Sequence, residues 1–228
     1  MRKERIVVLS GAGMSAESGI STFRDANGLW EKHDVMDVAS IDGWHRDQAL
    51  VLKFYNQRRK QLKQVQPNAA HLALVELEQK YDVKIVTQNV DDLHERAGSS
   101  SVVHLHGELR KVRCTKCENL ILEWEEDLNQ GHLCEKGHQL RPHIVWFGEA
   151  VPKIEEGARA VSECDYLIII GTSMQVYPAA GLVDYAPGHA PIYYIDPKPA
   201  FSKNDFLNIN IIAQKATVGV RKLVDDLL

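Results

Sequence analysis

Short apolar runs alternate with helical periodicities along most of this chain. Arg5-Ile-Val-Val-Leu-Ser10 reads as a short buried strand, being β-branched and apolar throughout its middle. Val83-Lys-Ile-Val-Thr87, Val102-Val-His-Leu-His106, His143-Ile-Val-Trp-Phe147, Tyr166-Leu-Ile-Ile-Ile170 and Ile192-Tyr-Tyr-Ile195 read as further strands. Between them the period turns helical. Asp47 to Gln64 carries Leu50, Phe54, Gln57 and Gln61 along one face, and His71 to Leu77 follows an Asn68 cap. Ile154 to Ser162 and Thr217 to Leu228 are expected as the last helices. Strands alternating with helices predict an α/β fold built on a doubly wound parallel sheet. Two stretches break this rhythm, 31–66 and 107–141. They are expected to form one small inserted domain, a helical module plus a cysteine-containing, zinc-ribbon-like one. The remainder (1–30, 67–106 and 142–228) is expected to make the Rossmann-like domain. The groove between the two is the default binding site.

The first strand runs into Gly11-Ala12-Gly13-Met14-Ser15-Ala16, which fits the G-x-G-x-x-G/A dinucleotide fingerprint at Gly11, Gly13 and Ala16. Small residues let the backbone approach a pyrophosphate, and N–H groups at a following helix start attract negative charge. A dehydrogenase would place an acidic residue at the end of the next strand, about 20 residues on. Here no strand pattern follows, so ordinary hydride transfer is disfavoured. Polar residues gather at later strand ends: Gln88-Asn89-Val-Asp91, then His104 and His106 before Gly107, then Gly171-Thr172-Ser173. Carboxyl ends of parallel strands are where open sheets bind ligands. His104 and His106 share a face by the two-residue period, and His106, abutting the glycine, is the better general-base candidate.

A length of 228 residues suffices for a full core, and 25% charged residues is ordinary for a globular protein. A net charge of −4 with both signs interspersed calls for neither nucleic acid nor an anionic membrane. The apolar run near the N-terminus is too short for a signal peptide, and none approaches a membrane span. A cytoplasmic location is expected. Four cysteines are few for a disulfide scaffold of this size. Three of them fall close together, which suggests a metal. Cys114-x-x-Cys117 is half of a zinc site, Cys134 adds a third ligand, and His138 or His132 could complete a tetrahedron. Cys164, ahead of an apolar strand, reads as a core residue.

The set Gly11 to Ile20, Thr22-Phe23-Arg24-Asp25, Gln88-Asn-x-Asp91, His106-Gly107, Arg141-Pro142, Trp146-Phe-Gly-Glu149 and Gly171-Thr-Ser173 resembles the sirtuins, NAD-dependent protein-lysine deacylases. The likeness covers nearly the whole chain, in order. It implies that His106 is the general base, deprotonating a ribose whose hydroxyl attacks the imidate left when the acyl oxygen displaces nicotinamide. Asn89 and Asp91 are implied to position nicotinamide and ribose, and Gln88 the ribose hydroxyls. Gly11, Ala12, Gly13, Ser15, Ala16, Phe23, Arg24 and Trp30 are implied to line the cofactor site. Phe23 and Arg24 belong to the loop that shields the intermediate. Gly171, Thr172, Ser173 and Ala216 face the adenosine. Where the family carries an asparagine this chain has Tyr194, which leaves that contact to backbone or to Asp196. Val145, Trp146 and Phe147 are implied to pair their backbone with an extended peptide.

Tyr55 and Arg58 stand three apart on the expected helix, so they are surface neighbours there. Alone they read as a solvated face with a packed tyrosine. Within the resemblance, Tyr-x-x-Arg marks bacterial class III members, which prefer acidic acyl groups. An arginine fork gives a carboxylate a bidentate partner, and a tyrosine hydroxyl adds a donor. Ala16 keeps the tunnel floor small. The expectation is removal of succinyl, malonyl and acetyl groups from acyl-lysine proteins or peptides by a monomer using NAD, with one structural zinc. Mono-ADP-ribosyl transfer, or a non-catalytic NAD or ADP-ribose sensor, are the competing readings. An altered base or a lost Asn/Asp pair would have favoured the sensor, and His106, Asn89 and Asp91 are all present.

Overall fold

The computed structural model describes residues 2–21, 33–200, 202 and 205–228, together with the backbone of 29–30. In chain order the elements are β1 (Arg5–Ser10), β2 (Leu29–Trp30), β3 (His33–Asp34), α1 (Val35–Val38), α2 (Ile41–Arg46), α3 (Gln48–Gln64), α4 (Ala69–Leu77), β4 (Asp82–Thr87) and α5 (Leu93–Ala97). There follow β5 (Val102–His104), β6 (Gly107–Cys114), β7 (Ile121–Glu123), β8 (Leu140–Ile144), α6 (Ile154–Ser162), β9 (Tyr166–Ile170), β10 (Ile192–Ile195), β11 (Ile209–Ile212) and α7 (Ala216–Leu227).

Six strands form one parallel sheet in the order β11-β10-β9-β1-β4-β5. This is the doubly wound order, with the chain switching direction between β1 and β9, where such sheets bind ligands. Alternation along β1 explains why both faces are covered. Ile6 and Val8 pack with α4 and α7 through Leu74, Leu77, Val220 and Leu223. Val7 and Leu9 pack the other way, with Val161 of α6 and Leu182. A third cluster joins α3 to a small antiparallel sheet, β7-β6-β8, through Val51, Leu52, Tyr55, Val112, Leu140 and Trp146. No described helix is long and apolar enough to cross a membrane.

Four expectations needed correction. The glycine turn leads into two short 3-10 turns, Ala12–Met14 and Ala16–Ser18, rather than an α-helix. The strand expected through His106 stops at His104; the chain turns at Leu105 and His106 and re-enters β6 at Gly107. Glycine is required there, because φ is +82° and a Cβ would sit 2.0 Å from the His143 carbonyl oxygen. The strand expected at 143–147 is displaced to β8, Leu140–Ile144, which pairs with β6 in the small sheet, so the boundary expected at residue 142 falls inside a strand. On α3, Leu50 and Phe54 pack inward as expected, but the buried side also carries Val51, Leu52, Tyr55, Arg58, Arg59 and Leu62, while Gln57 faces solvent.

Candidate active site

The turns after β1 and β9 are packed backbone to backbone. Gly11 N–H donates to the Ile170 carbonyl at 3.0 Å, and Gly13 N–H to the Gly171 carbonyl at 2.8 Å. A Cβ on Gly13 would lie 2.6 Å from Gly171 Cα, and one on Gly171 only 2.4 Å from Met14 N. The glycine motifs therefore let the two turns touch each other at the switch point. Ala12 and Ala16 are half-buried on this turn, Ser15 is buried, and Thr172 is buried beside half-buried Ser173.

Ser15 ties the first turn to the loop after β4. Its hydroxyl donates to Asp91 Oδ2 at 3.0 Å and accepts from Asn89 Nδ2 at 3.2 Å. Asn89 N–H is held by Thr87 Oγ1, which accepts the Ser10 hydroxyl proton at 2.8 Å. Burial pushes the Asp91 carboxyl above its ordinary value, against donors from Leu93 N–H and Ser15. Gln88 Nε2 crosses to Thr172 Oγ1 at 3.0 Å, joining the loops after β4 and β9. Tyr194 is a brace on that second loop: its hydroxyl donates to the Thr172 carbonyl at 2.8 Å and accepts from Ala200 N–H. Asp196 is buried at the end of β10 and accepts from Lys198 N–H, and Ala216 is buried at the start of α7.

His106 Nδ1 lies 3.1 Å from the Gln88 carbonyl. A carbonyl only accepts, so Nδ1 carries the proton and Nε2 is the basic nitrogen of the neutral ring. Burial holds the ring below its usual titration range, against the pull of the Gln88 bond. The imidazole is therefore neutral and able to take a proton at pH 7. The His106 carbonyl also accepts Val145 N–H at 2.9 Å, which ties the histidine to the segment after β8.

That segment carries the next group. Trp146 is buried; its indole N–H donates to Tyr55 Oη at 2.9 Å, and Arg141 stacks on its ring at 3.4 Å from the centroid. Glu149 accepts from both terminal nitrogens of Arg141, from Arg113 and from Trp146 N–H. Desolvation raises this carboxyl, but the two guanidiniums and the N–H bring it below its ordinary value. Arg58 is 7% exposed one turn beyond Tyr55, near enough for its charge to act on the hydroxyl, which burial drives well up. Neighbouring Arg59 is spent on the Leu109 and Glu126 carbonyls and on Asn56. The N–H groups of Val145, Trp146 and Phe147 are given to the His106 carbonyl, to Glu149 and to the Ala39 carbonyl, so backbone pairing of this segment with an extended peptide would run through carbonyls rather than these donors. Phe147 presents its side chain at the surface, 40% exposed.

Phe23 and Arg24 lie outside the described residues, and Trp30 enters only as backbone of β2. Arg141, Glu149 and Tyr194 were not assigned roles from sequence; the first two lie in quoted motifs, which was the available signal. A cavity of about 560 Å³ opens on the small-sheet side among Trp44, Arg113, Cys117 and Lys153; it reaches Arg141, Val145 and Glu149 but none of Gln88, Asn89 and Asp91.

The ligand atoms of Cys114, Cys117, Cys134 and His138 all lie within 4.8 Å of one another. Cys134 Sγ is 3.5 Å from Cys114 Sγ and 3.8 Å from Cys117 Sγ, and His138 Nδ1 is 3.4 Å from Cys117 Sγ. Zinc–sulfur bonds of about 2.3 Å in a tetrahedron put sulfurs about 3.8 Å apart, so the donor set fits one structural zinc. Burial raises the Cys114 thiol, but N–H groups of Lys116 and Cys117 and the adjacent thiols bring it down to about 6, toward the thiolate a metal needs. His132 stands apart, its Nδ1 accepting Asn129 N–H. Cys164 is a core residue, its thiol pushed up to about 11 by burial.

The model of the Sir2 family matches residues 11–178. The chain belongs to the Sir2 family. A Helicobacter pylori protein named NAD-dependent protein deacylase is 57% identical over 227 residues, covering 99% of this chain and 98% of that protein. A Bacteroides thetaiotaomicron protein of the same name is 53% identical over 227 residues, with 96% of each covered. Among solved Sir2 structures, a homolog–NAD complex aligns with a TM-score of 0.88 at 39% identity, covering 99% of this chain and 90% of that one. In Sir2 terms, the matched stretch contains the glycine turn, the Gln88–Asp91 loop, His106, Tyr55, Arg58 and the whole cysteine cluster.

Proposed function

We propose that this Sir2 protein is an NAD-dependent protein-lysine deacylase that removes succinyl and malonyl groups, and acetyl groups beside them. The observation that carries the reading is the orientation of His106. Its Nδ1 proton is committed to the carbonyl of Gln88, the residue that precedes Asn89, so Nε2 of the neutral ring remains as general base. When bound, NAD supplies an electrophilic ribose carbon from which nicotinamide can leave. Ser15 holds Asn89 and Asp91 in one constellation for the nicotinamide and its ribose. Gln88, braced on Thr172, would meet the ribose hydroxyls, and the packed turns at Gly11, Gly13 and Gly171 would face the phosphates and adenosine. His106 takes the ribose proton that frees a hydroxyl to accept the acyl group.

The preference for acidic acyl groups rests on Tyr55 and Arg58. Both are buried on α3, Tyr55 against Trp146 and Arg58 one turn on, and would present a charged fork and a neutral hydroxyl to a carboxylate that must leave water. One lysine peptide, carrying acetyl or succinyl, incubated with and without NAD and followed by mass spectrometry, tests both parts. NAD-dependent loss of succinyl with O-succinyl-ADP-ribose appearing supports the full reading. Loss of acetyl alone returns Tyr55 and Arg58 to packing. ADP-ribose on the protein substrate, or NAD binding with no turnover, overturns the deacylase reading.

A further inference from the structure

Two histidines flank the turn before β6, and only one is used above. His104 is 4% exposed, and both of its ring nitrogens are engaged. Nδ1 lies 2.9 Å from the Asn89 carbonyl oxygen and Nε2 lies 2.7 Å from Glu95 Oε1. A carbonyl and an ionised carboxylate are acceptors only, and a neutral imidazole has one donor to share between them. Both contacts are satisfied together only by a ring with two N–H groups. We propose that His104 is an imidazolium at neutral pH and that, through the Asn89 carbonyl, it positions the loop that receives the nicotinamide end of the cofactor. This rests on the reading of Asn89 and Asp91 as cofactor contacts.

The surroundings support the charged form. Glu95 and His94 face the ring from α5, Asp91 from the loop and Glu108 from β6. Burial alone disfavours the imidazolium, but the Glu95 bond and charge, the Asn89 carbonyl and Glu108 outweigh it and raise the ring above its ordinary value. Desolvation likewise raises Glu95, yet His104 brings it below its usual range, so the pair is ionic. His94 is held neutral by burial and adds no competing charge. The imidazolium in turn favours the ionised form of Asp91. His104 and His106 thus grip successive carbonyls of one loop, those of Asn89 and Gln88, in opposite protonation states. As pH rises through the raised value, His104 loses a proton and one of its two bonds becomes acceptor against acceptor. NAD binding is then expected to weaken on the alkaline side.

The test uses the full chain with ¹⁵N-labelled histidine. Long-range ¹H–¹⁵N spectra, assigned with His104→Gln, read the state of each ring nitrogen. The expected result is two protonated nitrogens on His104 at pH 7.0, and a titration above 6.5 that moves down by about one unit in Glu95→Gln. Glu95 is partly exposed, so this second variant keeps the fold. A neutral His104 ring at pH 7 overturns the proposal. Calorimetry then compares ligands: His104→Gln weakens NAD about tenfold or more and ADP-ribose, which lacks nicotinamide, by less than threefold. Equal weakening of both, or of neither, overturns the positioning role. Failure of the wild-type chain to turn over acyl peptides, with these results in place, counts against the deacylase reading alone.

Discussion

His106 donates its Nδ1 proton to the backbone carbonyl of Gln88 at 3.1 Å. Ring orientation, tautomer and basicity all follow from this bond and from burial. A ring held below 6.5 is neutral, and so competent as a base, at every pH above its own value. The acid limb of kcat/KM is therefore expected below 6.5, and a pH–rate profile checks this. His106→Ala is expected to lose roughly 10²–10⁴-fold in turnover while NAD binding stays within a few-fold. Unchanged turnover would sink the assignment.

Arg58 and Tyr55 separate acyl preference from chemistry. A charge-assisted bond lost from a buried site costs about 1.5–3 kcal/mol, or roughly 10–100-fold in rate. Arg58→Met is expected to lose that much in kcat/KM on a succinyl peptide and only a few-fold on the acetyl peptide. Tyr55→Phe should show the same asymmetry. It also leaves Trp146 Nε1 without its acceptor, at about 1–3 kcal/mol of stability. Equal losses on both peptides would refute the pocket.

The sheet was legible because its strands are short apolar runs ending at polar or glycine turns, as in Tyr166–Ile170 and Ile192–Ile195. Strand β11 was missed, since Ile209-Asn-Ile-Ile212 is brief and interrupted by a polar residue. On α3 a one-sided stripe was the wrong template. The helix buries a broad arc, including Arg58 and Arg59, against the small sheet and Trp146, so polar positions are buried too. The candidate site was legible where motifs are local: the glycine turns, Gln88 to Asp91, His106 and the cysteines. Pairs distant in sequence left no local trace. Trp146 and Tyr55 lie 91 residues apart, and no periodicity links them. Similarly, Tyr194 could be recognised only as a departure until its hydroxyl was seen bracing Thr172.

Zinc is expected to hold the small sheet together. Cys114 ends β6, Cys134 and His138 precede β8, and a metal joining them pins two strands whose other ends lead to His106 and Trp146. Elemental analysis should find one zinc per chain. Stripping it with a strong chelator, or replacing Cys134 with Ser, should lower stability by several kcal/mol and abolish turnover, with recovery on adding zinc back to the stripped wild type. Full activity in metal-free protein would show that packing alone carries this module.

His71 and His94 make the protein sensitive to acid. Their rings meet at 4.9 Å, and His94 Nε2 lies 3.0 Å from Ser10 Oγ, whose hydroxyl bonds the Thr87 Oγ1 that holds the Asn89 N–H. Burial lowers His71 to about 4, and burial together with the neighbouring histidines lowers His94 as well. In the unfolded chain these rings take a proton near 6.5, so between that pH and about 4 the unfolded state binds more protons than the folded one. The contribution of these two rings is then complete above 6.5 and falls as pH drops, by about 3 kcal/mol from His71 alone. His71→Gln removes this titration yet can keep the capping bond, because a glutamine three residues into a helix accepts the Asn68 N–H that His71 Nδ1 accepts at 3.2 Å. Urea midpoints at pH 7.0 and 4.5 should therefore fall less in the variant than in the wild type. Parallel falls in the two proteins would show that His71 is protonated in the native state or that its buried ring does not drive the acid limit.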